Sequence, residues 1–526
     1  MDGSVGPMEL PTRMQYRFRE INKILKQTVT LIPNNGQNTL NAGDTIIVEL
    51  PHNSVVDLTT FIMEYAGATN HNGKTNAASG IGVAGYLQTR FFPRNTASII
   101  EQLDVEINGQ TRFTLNNYGL IYNTLFDLTA AQDSLNRRKC GENADPSSKY
   151  FINAGAAGVS AAVAGALTER RGYSTGTLID GTAQDKENYV IRSWLGLLNP
   201  STSIIDTSIL GSVVIKIRLA PANCLMLGAV SNGEIAALAV GAATDETGVA
   251  VITVPAGDVA GAATLNYQLS SVKFSIVRYD LPAEFYMTEA SRLGSGAVFK
   301  LWFPNYSVQS CTSVLSGNKT GVNRTSISCR SLDWIMGTFR LPNYTTVQAP
   351  LNSLGASPST LGPVGQSKYT WEAQVRAGLR RLFNNSRYFA RNGSSIDSCS
   401  WTIGNSQYPQ RTVQQQFDAL LQHFNIQNDQ GSGGMYPGIQ SLNHFRETFY
   451  ADIMSLNCNQ SESDFVISGL NTQETPLQIT WNVNSTALAA DIDTLITIAD
   501  TCTPYLICGY SSCLEIRGGR QITLIN

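Results

Sequence analysis

A chain of 526 residues, 42% of them hydrophobic, exceeds what one hydrophobic core usually spans and has the material for two. Only 15% of the residues are charged, against a usual fraction of about 25%, as expected of a surface partly hidden in an assembly. The net charge of −3 excludes a nucleic-acid binder that works by overall positive charge, so any such contact must be local.

The opening run, MDGSVGPMELPTR, carries Asp2 and Glu9 and no apolar stretch of secretory length, which predicts a cytosolic or nuclear protein. Nine Cys, an odd number at irregular spacings, then fit reduced thiols better than a disulfide framework. Met14, Phe18, Ile21 and Leu25 follow at helical spacing, with Arg13, Arg17, Arg19, Lys23 and Lys26 around them. This basic amphipathic pattern, within residues 1–27, reads in two ways. It is an arm that docks on an acidic surface, a membrane, a nucleic acid or a partner protein, or it is a helix packed on its own domain.

Strand signals come next and continue to the end of the chain. Short runs rich in Val, Ile, Thr and aromatics, bounded by Gly, Pro or Asn, predict strands at 45–50, 61–65, 103–107, 213–219, 272–279, 298–303, 477–483 and 522–525. The class is therefore all-β with a few inserted helices. Long irregular segments at 140–188, 222–266, 315–328, 345–367 and 427–438 read as functional or interacting loops. The Ala- and Gly-rich stretch 150–168 is too weakly apolar for a membrane span and belongs with them. PAEFYMTEASRL predicts a short helix in a connecting segment, 281–297, between a first domain at 28–280 and a second at 298–526.

The second half echoes the first in order. VELPHNSV (48–55) is answered by LWFPNYSV (301–308), LTTFIMEY (58–65) by LDWIMGTF (332–339), and SIIEQLDVEINGQ (98–110) by SIDSCSWTIGNSQ (395–407). Each half then enters a helical pattern, with Ile121, Leu125 and Leu128 in one and Phe417, Leu421 and Phe424 in the other. Similar residues in the same order, separated by insertions, indicate two copies of one domain.

Catalytic motifs are weak by comparison. ATNHNGKT (68–75) has the residue order of a relaxed phosphate loop, but the Gly-rich NAASGIGVAG behind it cannot open the helix such a loop needs. GIGVAG (80–85) spells a dinucleotide fingerprint without its strand and helix. His52, His71, His423 and His444 stand outside any metal motif, and Cys502, Cys508 and Cys513 have the wrong spacing for zinc. Sequons at Asn305, Asn318, Asn323 and Asn343 would matter only in a secreted protein. No catalytic residue, metal or cofactor is expected.

SWLGLLNPSTSIIDTSILGSVVIKIRLA (193–220), followed by VRYDLPAEFY (277–286), resembles the first-domain end of major capsid proteins from polinton-like viruses and virophages. Their wider kin are the capsid proteins of large DNA viruses and adenovirus-type capsids. ELPHNSVVDLTTF near Glu49 and the closing SSCLEIRGGRQITLIN extend the likeness to both halves, whereas the long loops and the arm match nothing in it.

The resemblance implies two tandem eight-stranded jelly rolls, three chains per capsomer with a nearly hexagonal outline, and an icosahedral double-stranded DNA virus shell tiled by such capsomers. It implies neighbouring capsomers, penton and minor capsid proteins as partners, and a virion assembled in the host cytoplasm or nucleus. On this reading Arg13, Arg17, Arg19, Lys23 and Lys26 form an interior-facing arm that meets an internal membrane, the genome or a minor capsid protein. Two other readings stay open: a non-structural scaffold of the same fold, and a carbohydrate-binding or carbohydrate-active β-sandwich. The last would need facing carboxylates, for which Asp104, Glu106 and Asp333 are candidates.

Overall fold

The computed structural model describes residues 25–34, 39–69, 90–93, 96–129, 187–200, 204–227, 267–311, 320–340, 388–389, 396–412, 454–458, 469–473, 476–483, 503–518 and 521–526. The first half contains β1 (Leu25–Leu31), β2 (Thr39–Asn41), β3 (Thr45–Glu49), β4 (Val55–Thr69), β5 (Arg90–Phe91), β6 (Ile100–Ile107) and β7 (Gln110–Asn116). Helix α1 (Tyr118–Thr129) follows, then β8 (Glu187–Ile191), β9 (Ile204–Asp206), α2 (Thr207–Leu210), β10 (Val213–Leu219), β11 (Met226–Leu227) and β12 (Tyr267–Asp280). Helix α3 (Ala283–Gly294) links this half to β13 (Phe299–Ser310), β14 (Thr320–Ser326), β15 (Leu332–Arg340), β16 (Ile396–Ile403) and β17 (Ser406–Thr412). The chain ends in β18 (Met454–Asn457), β19 (Pro476–Val483), β20 (Thr503–Arg517) and β21 (Gln521–Ile525).

In the first half one sheet runs β1-β12-β4-β8 and the other β3-β10-β6-β7; in the second half the sheets run β13-β20-β15-β18 and β14-β19-β16-β17. Every one of these ladders is antiparallel. Counting the eight principal strands of each half in chain order, both halves read 1-8-3-6 in one sheet and 2-7-4-5 in the other. Pairs 1-8, 2-7, 3-6 and 4-5 are the rungs of one long hairpin. Rolling that hairpin into two layers adds the contacts 8-3 and 7-4, so a single folding pattern generates all four sheets.

Alternation sets which side chains fill each sandwich. Phe61, Met63 and Tyr65 of β4 are buried against Ile46 and Val48 of β3, Val105 of β6 and Ile215 of β10. Aromatic rings dominate this core: Phe61 lies 5.1 Å from Trp194 and 5.5 Å from Phe274, and Phe92 lies 5.2 Å from Tyr189. The second sandwich is filled differently, by Ile335, Trp401, Ile403, Ile479 and Leu506 with the thiols Cys329, Cys399, Cys458 and Cys508. The 4-5 hairpin of the first half turns through Asn108 and Gly109, both at positive φ (53° and 73°), the geometry that an Asn-Gly pair favours.

Each predicted strand overlaps an observed one, with 45–50 and 298–303 overrunning β3 and β13 by one residue, and the predicted connecting helix is α3. Two of the three sequence echoes also mark equivalent strands: LTTFIMEY lies in β4 and LDWIMGTF in β15, while the third pair spans β6–β7 and β16–β17. The first echo does not. VELPHNSV closes β3, turns at Pro51 and opens β4, whereas LWFPNYSV lies wholly inside β13, which among the described strands pairs only with β20 and, as an edge strand, tolerates Pro304. The segment 315–328, expected to be a loop, contains β14, whose polar GVNRTS run hides an edge strand paired, among the described strands, to β19 alone. The helix expected around Phe417, Leu421 and Phe424 and the segments 150–168, 345–367 and 427–438 lie outside the described residues.

Candidate functional site

The feature that joins the two halves is an apolar junction. Leu301 and Phe303 of β13, Met336 of β15 and Leu514 and Ile516 of β20 are buried in the same cluster as the first-half core, not in the second-half sandwich. Met336 lies on the face of β15 opposite Ile335, which points into the second sandwich, because successive residues of a strand face opposite layers. Leu301, Phe303, Leu514 and Ile516 keep the pleat phase of Cys508 and join the first-half cluster at the other end of the β13–β20 ladder. The echo of Ile62 and Met63 is therefore out of phase by one residue, since Met63 fills a sandwich and Met336 fills the junction.

Phe113 of β7 meets Phe303 edge-on, with ring centroids 5.6 Å apart and planes at 83°. The 3-10 turn Gly196–Leu198, inside the SWLGLLNP run, packs on β13. Gly196 adopts φ +72°, and a Cβ there would overlap the Phe113 ring. At the junction's polar rim the Tyr388 hydroxyl donates to the Glu101 carboxylate at 2.9 Å. Phe113, Phe303 and Glu101 carried no sequence signal beyond the alternation of their strands, and Tyr388, in a turn, carried none.

The other motif residues that suggested a family act as clamps within the first half. Trp194 donates its indole N–H to the Phe61 carbonyl at 2.8 Å. The Thr207 hydroxyl donates to the carbonyls of Pro51 and Ser54, both at 2.8 Å, and accepts from the Ser54 N–H at 3.1 Å, tying the PHNS turn to α2. Asp206 caps α2 by accepting from the Ser208 N–H at 2.8 Å.

No protein-family model and no curated sequence matches the chain. Among solved structures, the PBCV-1 virus capsid matches with a TM-score of 0.50 at 10% identity, over 96% of this chain and 97% of that one. The fold is a double jelly roll. The Sputnik virophage structure (TM-score 0.45, 13% identity, 96% of this chain and 88% of that one) and the mavirus major capsid protein (0.44, 11%, 95% and 89%) are similar at a lower level.

Within this double jelly roll, of the predicted arm residues, Arg13, Arg17, Arg19 and Lys23 lie outside the described residues. Lys26 lies in β1 opposite Tyr279, with its ammonium 6.0 Å from the ring centre. The strand already includes Leu25, so the helical stripe that counted it ends sooner. LKQTVTL gains backbone partners along β12 that helical spacing could not offer. Asp104 and Glu106 share a face of β6, where Glu106 pairs with Lys216 and Asp104 accepts from Gln102. Asp333 sits in the other roll, at a register shift in β15, held by Ser331 (3.0 Å) and Ser511 (2.8 Å).

Asn305 and Asn323 are buried in strands, and Asn305 is bonded to Ser512, so in the folded chain neither sequon is presented. Cys508 and Cys513 are free and buried. Among the described residues no group of three or more His, Cys, Asp or Glu side chains could hold a metal, and no helix is long and apolar enough to cross a membrane. The phosphate-loop and dinucleotide-like runs lie outside them beyond Thr69.

Proposed function

We propose that the chain is a major capsid protein whose rolls, residues 28–280 and 298–526, stand side by side and whose trimer presents six similar lobes. The observation that carries this reading is the shared apolar junction. Two units with one strand order, fused through buried Phe303, Met336 and Leu514, form a rigid two-lobed block. Three such blocks around a threefold axis give a nearly hexagonal tile, which can pave the faces of an icosahedral shell whose vertices are left to penton proteins. The likeness to the PBCV-1 virus capsid along almost the whole chain supports it. So does the low charge, because an obligate interface is more apolar than a transient one and carries little charge at its core.

Exposed Ile204, Phe285, Val298 and Trp302 supply apolar surface for such contacts. Neighbouring capsomers, penton and minor capsid proteins are the proposed partners. The virion is the proposed location, with assembly in the host cytoplasm or nucleus. The basic residues Arg13, Arg17, Arg19, Lys23 and Lys26 are proposed to face the shell interior. Catalysis is not part of the proposal: Glu106 is tied to Lys216, and Asp333 stands in the other roll.

Light scattering and negative-stain microscopy of the purified chain test the reading. Six-lobed particles of three times the 56.9 kDa chain mass are expected. A monomer that binds or cleaves glycans would overturn it in favour of a sandwich enzyme or lectin. Trimers absent from purified virions would point to the scaffold.

A further inference from the structure

Among the described residues, linker helix α3 has no neighbour on most of its surface. Of its twelve residues only Leu293 is buried, with Tyr286 and Glu289 half-buried beside it. Ala283, Met287 and Ala290 follow one another at i, i+4 and i+7 and are all exposed, Met287 at 71%; Phe285, on the far flank, is 40% exposed. A twelve-residue helix is marginal in water on its own and gains most of its stability from packing an apolar face. Glu284, on the polar side of this stripe, makes no ion pair among the described residues.

The chain upstream of β1 leaves the sheet at the place where this helix begins. Leu25, the first residue of β1, pairs with Asp280, the last of β12, three positions before Ala283. Because the two strands are antiparallel, residue 24 and residue 281 emerge from the same end of the sheet. Leu25 itself is 52% exposed there. Immediately upstream, Met14, Phe18 and Ile21 have the i, i+4, i+7 spacing of the stripe on α3, and Arg13, Arg17, Arg19 and Lys23 bring the charge that Glu284 lacks.

We infer that residues 13–24 fold back in cis onto the linker helix, seating Met14, Phe18 and Ile21 over Ala283, Met287 and Ala290. Lengths agree, since eight residues from 14 to 21 span about 12 Å as a helix and the twelve of α3 about 18 Å. Ala283 and Ala290 allow close approach, and Met287 adapts to the ring of Phe18. The tether between the two partners is a few residues, so the local concentration favours the chain's own arm over a neighbour's. The docked arm turns its Arg and Lys side chains outward as a fixed basic patch. The inference does not depend on the capsid reading, because monomer and trimer alike contain both segments.

Limited trypsin digestion of the full-length chain tests it. Cleavage after Arg13, Arg17, Arg19 and Lys23 is expected to be slow in the native chain and to accelerate by about tenfold in Met287→Asp and in Phe18→Asp, since proteolysis follows the population of the undocked arm. Val322→Ser, at an exposed apolar site on β14, should leave the rate unchanged. Deleting residues 1–23 should in turn speed amide exchange across 283–294. Equal cleavage rates in the native chain and Met287→Asp would overturn the inference. So would protection that vanishes on hundredfold dilution, which would assign the arm to a second copy. Protection that arises only with anionic phospholipid vesicles would assign it to a membrane and overturn it too.

Discussion

Phe113 and Phe303 lie 190 positions apart in the chain, yet their rings meet edge-on at 5.6 Å and both are at least 98% buried. The contact carries the first-half core on to β13 and fixes one roll against the other. Phe303→Ala should therefore cost about 3–5 kcal/mol, as for a buried Phe whose cavity cannot collapse. The loss should separate the unfolding of the two rolls. Calorimetry is expected to show one transition in the parent chain and two in the variant. A single transition at an unchanged temperature would show that the ring contributes nothing to coupling. A double-mutant cycle with Phe113→Ala should return a coupling of about 0.5–1.5 kcal/mol beyond area burial.

Gly196→Ala attacks the same contact from behind. The residue holds φ +72°, which strains any side chain by about 1–3 kcal/mol, and its new methyl would drive into the Phe113 ring. Destabilisation at least as large as that strain is expected in urea titration, with loss of the edge-on ring geometry. Gly196→Ala combined with Phe113→Ala should cost less than the sum of the two, because the second change removes the obstacle of the first.

Strand content was legible because Val, Ile and aromatics alternate openly in β3, β6, β10 and β12, and the double jelly roll followed from family-like runs that prove to be clamps around Trp194 and Thr207. The duplication was legible only where equivalent strands kept similar residues. LWFPNYSV imitates VELPHNSV through a Pro that closes a turn in one and sits on a sheet edge in the other. Strand β14 was hidden because an edge strand half in solvent needs no apolar alternation. The junction was hidden for a different reason: Met336 and Ile335 are equally apolar, and only the three-dimensional pleat assigns one to the sandwich and the other to the partner roll.

Two carboxylates in the second roll should respond to pH with opposite sign. Burial pushes the Asp333 carboxyl above its ordinary value, opposed by the hydrogen bonds from Ser511 and Ser331. A raised value means that the folded chain binds the proton more tightly than the unfolded one. Asp333 thus contributes stability that is fully present below the ordinary carboxylate range and is lost as pH rises through its raised value. Glu515 is held below its ordinary value by Arg517 at 3.1 Å and Lys300 at 3.3 Å. Its contribution is present above the ordinary glutamate value and is lost as pH falls through the lowered one. In melting curves from pH 7 down to pH 3, the margin of the parent chain over Asp333→Asn should widen, and its margin over Glu515→Gln should shrink. Margins that move together would contradict the assignment.

The thiols of the second sandwich should behave as hydrocarbon, not as redox groups. Cys329, Cys399, Cys458 and Cys508 form no disulfide and are buried in one core, while Cys311 is half-buried at its edge. Burial pushes the Cys458 thiol up to about 12 and the Cys311 thiol up to about 11. Only the thiolate attacks an alkylating reagent, so both are nearly inert at neutral pH. Below a value of about 11 the thiolate fraction of Cys311 rises about tenfold per pH unit, and accessibility lets reagent reach it. Peptide mapping after treatment of the native chain with N-ethylmaleimide should show Cys311 labelled before the four core thiols, with its rate climbing steeply from pH 7 to pH 9. The core thiols should react only at the rate of unfolding, and dithiothreitol should leave the melting temperature unchanged. Labelling of Cys508 as fast as Cys311 in the native chain would mean that the second sandwich opens locally, and that the rigid two-lobed block holds only at the junction and in the first roll.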